Sequence, residues 1–336
     1  MKYTLGKNYT ELQVERIEDL AILYMVIEEG DLIYSWTARE VRGRGGERLG
    51  RERVYLGIRV KSVEFHEPRG VLRIRGIIVD YPDWLEGAGG SYHSLDVGPG
   101  SAIKVMRRID EEYLKLLIGT FSSSVKALIV SFSVEETAIA LVDRNGVEEV
   151  SIIQNKYVNN KEEGGSLVSQ RYVEEVSKRV REIFEAGKPT VIIVASPGML
   201  RPFTPRLDQL NASIKYVEVT EGGLAGVYEV ERSGVLDEVG LMLGSKYVSR
   251  VMEELGRSEG KVALGAEVDE AFKLGAVQVL LISSRYMFEN LTRVKNLVGQ
   301  VIKTRASLVI IPSGTEPGKI LEGLGGVAAL LRFSLR

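Results

Sequence analysis

Cysteine is absent from this 336-residue chain, and histidine occurs only as His66 and His93. Without cysteine there is no disulfide framework, no thiol nucleophile and no cysteine-based zinc site. Two histidines leave little material for a histidine metal cluster or a Ser-His-Asp triad. The N-terminal stretch lacks the charged-then-apolar order of a secretion signal, and no uninterrupted apolar run is long enough to span a bilayer. A soluble, cytoplasmic protein is expected. A surplus of one charge is missing too: 44 Lys and Arg stand against 46 Asp and Glu, for a net charge of -2. That balance argues against a protein that coats nucleic acid non-specifically, so any RNA contact has to be local. No cysteine, few Asn and Gln, and many Arg and Glu lean towards a hot-environment source.

What is present is unevenly spread. Between Arg39 and Arg53 the chain carries Arg39, Arg42, Arg44, Arg48, Arg51 and Arg53 against Glu40, Glu47 and Glu52, with Gly43, Gly45, Gly46 and Gly50 between them. So little apolar surface predicts a mobile, projecting loop. Beyond it Val54, Leu56, Ile58, Val60, Val63 and Phe65 mark a strand. Pro68-Arg69-Gly70 reads as a turn, and Leu72 and Ile74 alternate with Arg73 and Arg75 on a returning strand. The result is an arginine-tipped loop on a hairpin scaffold. Guanidinium forks pair with phosphate oxygens at two points, which suits RNA. A solvated, salt-tolerant surface loop is the other reading of the same composition.

The length calls for two or three domains. Residues 2–108 read as mostly β: strands at 31–38, 55–65, 71–79, 92–97 and 101–106, with one short amphipathic helix at 18–27, suggest a small closed barrel. From about Tyr113 the pattern turns to α/β, with buried strands at 127–132 and 191–195, a hairpin over 137–153 and a helix at 169–186. After about Gly244, helices at 247–255, 267–274, 287–303 and 317–324 alternate with strands at 277–282, 308–311 and 327–333, an α/β sandwich.

Phrases in this order resemble the archaeal Pelota family, relatives of class-I translation termination factors. In the first part they are Glu18-Asp19-Leu20, Thr37-Ala38-Arg39, Gly57-Ile58-Arg59-Val60, Val63-Glu64-Phe65-His66-Glu67, Leu72-Arg73-Ile74-Arg75-Gly76 and His93-Ser94-Leu95-Asp96-Val97. In the last part they are Gly275-Ala276-Val277, Leu280-Leu281-Ile282-Ser283 and the ending from Leu324 to Phe333. The resemblance implies a multidomain α+β protein. An Sm-like β-barrel would occupy 1–120, a central α/β domain related to the release-factor middle domain 121–244, and a C-terminal α/β sandwich 245–336. It further implies entry into the A site of a stalled ribosome with GTP-bound elongation factor 1-alpha, then subunit dissociation with an ABC-type recycling ATPase. The expected roles are mRNA surveillance and ribosome rescue, in no-go and non-stop decay. A monomer without cofactor or membrane partner is expected. The family's basic loop, which reaches towards the decoding centre, corresponds to Arg39–Arg53.

Release factors carry Gly-Gly-Gln at a loop tip in their middle domain. The matching place here is Glu162-Glu163-Gly164-Gly165-Ser166-Leu167, with no glutamine after the glycines. A serine hydroxyl cannot reach as far or present an amide's separate donor and acceptor, so peptide release is not expected. Pro197-Gly198-Met199 follows a buried strand, where α/β folds present functional groups. The family uses this region near its GTPase partner with Phe where Met199 stands; a plain turn is the competing reading. No catalytic residue and no metal site are expected. The alternative is a divalent-metal-dependent endoribonuclease using Glu18, Asp19, Asp80, Asp83 or Glu86, although no spacing singles these acids out. Gly314-Thr315-Glu316-Pro317-Gly318-Lys319 lacks the Gly-Lys-Ser/Thr ending of a phosphate loop, so no nucleotide site is expected there.

Overall fold

Side chains that alternate between apolar and polar along residues 2–105 build strands with one face turned inward. The computed structural model describes residues 1–42, 48–85, 87–122, 127–143, 146–157, 168–187, 189–210, 212–257 and 260–335. They form two units, one joining 1–121 with 258–336 and the other spanning 122–257.

The first unit opens with β1 (Lys2–Leu5), β2 (Thr10–Gln13) and helix α1 (Asp19–Val26). Strands β3 (Leu32–Arg42), β4 (Arg48–His66), β5 (Val71–Asp80), β6 (Tyr92–Val97) and β7 (Ala102–Val105) follow, then helix α2 (Glu111–Ser122). The seven strands pair antiparallel in the order β1-β2-β7-β3-β4-β5-β6. Although β3 and β6 are not neighbours in that order, His93 Nε2 of β6 lies 3.3 Å from Thr37 Oγ1 of β3. The sheet therefore curls on itself, as a barrel does. Irregularities at Gly57/Ile58 and Val60/Ser62 in β4 help it bend. Leu12, Ile33, Leu56, Ile58, Leu72 and Ile74 fill the interior.

Two expectations are corrected here. Helix α1 is buried nearly all round, from Asp19 to Leu23 and again at Met25 and Val26, rather than on one face. The segment 39–53 is mostly strand instead of loop. Strand β3 runs to Arg42 and β4 begins at Arg48, with Arg39 opposite Glu52, Glu40 opposite Arg51 and Val41 opposite Gly50. Backbone N–H and C=O groups satisfy each other across such a pair without any apolar side chain to bury, so the ladder continues past the core.

The second unit consists of β8 (Ala127–Phe132), β9 (Glu136–Asp143), β10 (Gly146–Gln154), α3 (Gln170–Gly187), β11 (Val191–Ser196), β12 (Ser213–Glu218), α4 (Gly223–Arg232) and α5 (Val235–Gly256). Its sheet order is β10-β9-β8-β11-β12, with β8, β11 and β12 parallel. Every residue of β8 and β11 is buried, because helices cover both faces. Ala127 and Ile129 meet Val227, Val230, Val235 and Val239 of α4 and α5. Leu128, Val130 and Phe132 meet Tyr172, Val176 and Val180 of α3 on the other side. Helix α5 starts well before the expected Tyr247, and position 244 lies inside it. Val235, Val239 and Leu243, spaced by one turn, bind it to the sheet, which outweighs the weak helix preference of Gly240 and Gly244.

The first unit resumes with β13 (Val262–Leu264), α6 (Glu267–Lys273), β14 (Val277–Ser283), α7 (Ser284–Glu289), α8 (Leu291–Thr304), β15 (Ser307–Ile311), α9 (Glu316–Gly323) and β16 (Val327–Leu331). Here the sheet order is β13-β16-β14-β15. The single helix expected at 287–303 is two, broken at Asn290, whose backbone leaves helical geometry. The two sheets of this unit share a core. Phe65 of β4 stacks on Phe288 of α7 with centroids 4.0 Å apart, and the Tyr24 and Thr292 hydroxyls lie 3.0 Å apart.

Tyr172 provides a test of the second unit's core. Its hydroxyl lies 2.7 Å from Thr137 Oγ1, and burial pushes the phenol up to about 12 from an ordinary 10.0, the Thr137 hydrogen bond opposing part of that rise. Below pH 10.0 the phenol is neutral folded and unfolded, so its contribution is fully present. As pH rises towards about 12 the unfolded chain ionises first and stability falls. Tyr172→Phe is expected to cost about 1 kcal/mol at neutral pH. It should also lose stability less steeply than the parent across that alkaline window in urea unfolding.

Candidate nucleic-acid interface

Strands β3 and β4 turn Ile33, Ser35, Val54 and Leu56 inward, which sends Tyr34, Trp36, Arg53 and Tyr55 to the outer face. The register sets Trp36 opposite Tyr55, Tyr34 opposite Gly57 and Ala38 opposite Arg53. An aromatic ladder results. The Trp36 and Tyr55 centroids are 5.3 Å apart, and the Tyr55 and Tyr34 rings stack at 5.7 Å with 26° between their planes. The Arg53 guanidinium carbon sits 5.0 Å from the Trp36 ring centre, within cation–π range. Trp36 keeps 56% of its surface exposed and Tyr55 38%.

The inner end of the ladder is pinned. Tyr34 donates its hydroxyl hydrogen to Asp80 Oδ2 at 2.8 Å. Burial first, then the hydrogen bond and charge of Asp80, push its phenol up to about 12. Burial also raises the Tyr55 phenol. A Cβ at Gly57 would stand 2.7 Å from the Tyr34 ring, so the missing side chain is what allows that ring to lie across β4. Sequence reading had not picked out these aromatics. The available signal was Tyr34 and Trp36 alternating with inward Ile33 and Ser35, and Tyr55 between inward Val54 and Leu56.

At its other end the ladder leads into the arginine arm. The backbones of Arg39, Arg42, Arg48 and Arg51 belong to the paired strands, and Arg53 stacks on Trp36. Arg44 lies outside the described residues. With a chain charge of only -2, an arm bearing these arginines is a local concentration of positive charge.

The structure scatters the remaining candidates. Pro197 follows β11 and caps a short 3-10 helix, Gly198–Phe203, in which Leu200 is buried and Met199 is 74% exposed. A Cβ at Gly198 would meet Glu218 Oε1 at 2.5 Å, the end of a flexible side chain. Residues 162–167 and Glu86 lie outside the described residues. Asp19 accepts hydrogen bonds from the backbone N–H groups of Glu15 and Arg16 and pairs with the N-terminal ammonium at 3.1 Å. Asp80 holds Tyr34, and Asp83 is exposed. Among the described residues, no group of three or more His, Asp and Glu side chains could hold a metal ion. Nor is any helix among them long and apolar enough to cross a membrane. In the 314–319 segment the Thr315 hydroxyl caps α9 by accepting from the Gly318 N–H, and a Cβ at Gly318 would collide with the Pro312 carbonyl.

A curled antiparallel sheet domain, a three-layer middle unit and a C-terminal α/β sheet define a multidomain protein of mixed α and β structure. Family models match the Pelota N-terminal domain over residues 2–120 and eRF1 domain 3 over residues 241–335. A pelota homolog from Caldivirga maquilingensis is 56% identical over 336 residues, covering 100% of this chain and 99% of its own. An archaeal Pelota solved in a ribosome-bound state with ABCE1 is 26% identical, with a TM-score of 0.65 and full coverage of both chains. Saccharomyces cerevisiae Dom34, a translation termination-like factor of RNA quality control that interacts with Hbs1, shares the fold. Its TM-score is 0.60 at 16% identity, over 100% of this chain and 99% of that one. The chain belongs to the Pelota family.

The Gly57 contact is directly testable. Gly57→Ala is expected to push Tyr34 off β4 at a cost of about 1–3 kcal/mol. Near-UV circular dichroism would report the lost ring order, and thermal unfolding the cost.

Proposed function

We propose that this protein rescues stalled ribosomes. It enters the A site with GTP-bound elongation factor 1-alpha, lays its arginine arm against RNA of the mRNA channel, and with an ABC-type recycling ATPase promotes subunit dissociation without releasing the peptide. The observation that carries this reading is the β3–β4 arm, which gathers Arg39, Arg42, Arg48, Arg51 and Arg53 on one paired hairpin of a nearly neutral chain, with Arg44 between them in sequence. A paired backbone has less conformational freedom to lose on binding than a free loop, and guanidinium favours phosphate. The ribosome-bound relative with ABCE1 supports the ribosome and an ABC-type ATPase as partners, and the missing glutamine after Gly164-Gly165 supports action without peptide hydrolysis.

Tasks divide along the chain. Residues 1–120 serve the RNA, while 121–244 and 245–336 serve the GTPase and the ATPase, with Pro197, Gly198 and Met199 at the GTPase contact. An exposed methionine at the end of a buried parallel strand is an adaptable apolar contact on a rigid base. The protein acts as a cytoplasmic monomer and needs no cofactor of its own.

Reversing Arg42, Arg44, Arg48 and Arg51 to Glu should sharply weaken binding to ribosomes stalled on truncated mRNA. The slope of log affinity against log salt should fall by roughly 3. Unchanged affinity and slope would reduce the arm to a solvated surface. Calorimetry with GTP-loaded elongation factor 1-alpha separates the other face: Met199→Glu should weaken that complex about tenfold, and the arginine reversals should leave it unaltered.

A further inference from the structure

We infer that the outer face formed by Trp36 and Tyr55, flanked by Tyr34 and Arg53, is a stacking site for an unpaired nucleobase of single-stranded RNA. The inference rests on reading the arm as an RNA contact, and it adds a second site at the arm's base, distinct from the arginines.

A Trp that packs for stability goes inward. Trp36 instead keeps 56% of its surface in water although Tyr55 and the Arg53 guanidinium both lie against it. Ring surface is therefore left over for another flat partner. A nucleobase is such a partner, and stacking on aromatic rings and arginine planes is how single-stranded RNA is commonly held. A base within a duplex has both faces covered by its neighbours, so the site selects unpaired nucleotides.

Preorganisation supports the assignment. Tyr34 is fixed by Asp80 at 2.8 Å and lies over Gly57, Tyr55 stacks on Tyr34, and Trp36 stands beside Tyr55. A partner meets rings already ordered, and little conformational freedom is lost on binding. Charge favours a polyanion over an apolar peptide. Arg53 belongs to the ladder itself, and Arg51 follows two residues further along the same strand, roughly 7 Å away at ~3.3 Å per residue. One short RNA segment can lay a base on Trp36 and its neighbouring phosphates along the arm.

The chain has two tryptophans, Trp36 and Trp84, so Trp84→Phe leaves Trp36 as sole reporter in the full-length protein. The probes are a single-stranded 12-nucleotide oligoadenylate and its duplex with oligouridylate, each about one helical turn long. The single strand should quench Trp36 saturably and the duplex should quench it far less. Trp36→Ala should weaken binding of the single strand about tenfold, Trp36→Tyr should recover most of that loss, and the salt slope should stay unchanged because no phosphate contact is removed. Absence of quenching, equal quenching by the duplex, or full affinity in Trp36→Ala would overturn the assignment. Weaker ribosome binding by Trp36→Ala without quenching by RNA would also overturn it, and would point to a protein contact instead. The arginine reversals separate the two readings. If they abolish ribosome binding while Trp36 is silent, the stacking site falls and the rescue reading stands. If Trp36 is quenched while the reversals leave ribosome binding intact, the rescue reading falls and the stacking site stands.

Discussion

Antiparallel pairing of β3 with β4 is the constraint on which the functional face depends. Near the core the pairing is supported by buried Ile33, Val54 and Leu56; further out it continues to Arg42 opposite Arg48. Because successive side chains point to opposite faces, that register decides everything outward of it. It sets Trp36 beside Tyr55, sets Tyr34 over a strand position with no side chain, and places Arg39, Arg42, Arg48 and Arg51 on paired backbone. A slip of one residue would turn the aromatics inward and the core residues into water. The inward residues are thus what orients the outer face.

The first unit builds its core from distant parts of the chain. Phe65 stacks on Phe288, and the Tyr24 and Thr292 hydroxyls are within hydrogen-bond distance, so the curled sheet and the C-terminal sheet are stabilised by common contacts. In the second unit the same physics takes a layered form. Strand β8 divides its side chains between two helical layers, Ala127 and Ile129 to one and Leu128, Val130 and Phe132 to the other, so both faces of the strand are closed to water. Ser131 is the polar exception, and its buried hydroxyl has no hydrogen-bond partner among the described residues. A Cβ at Gly226 of α4 would lie 2.3 Å from its hydroxyl oxygen, so glycine there lets helix and strand approach closely.

Much of this was written in the sequence by itself. Absence of cysteine and the near balance of charge excluded a disulfide framework, a thiol nucleophile and a non-specific coat for nucleic acid, and the apolar alternation along β4 and β5 marked a hairpin. The unbroken apolar runs at 127–132 and 191–195 were legible as strands covered on both faces, since only such strands tolerate no polar side. The concentration of arginine between 39 and 53 was legible as composition. Tertiary structure alone decided how that composition is displayed. Strand pairing beyond the core depends on backbone groups that every residue carries, so side-chain pattern does not report it. The aromatic ladder depends on a cross-strand register between Trp36 and Tyr55, which no local spacing encodes. The stack of Phe65 on Phe288 joins residues from opposite ends of the chain, and proximity of that kind exists only once both sheets have folded.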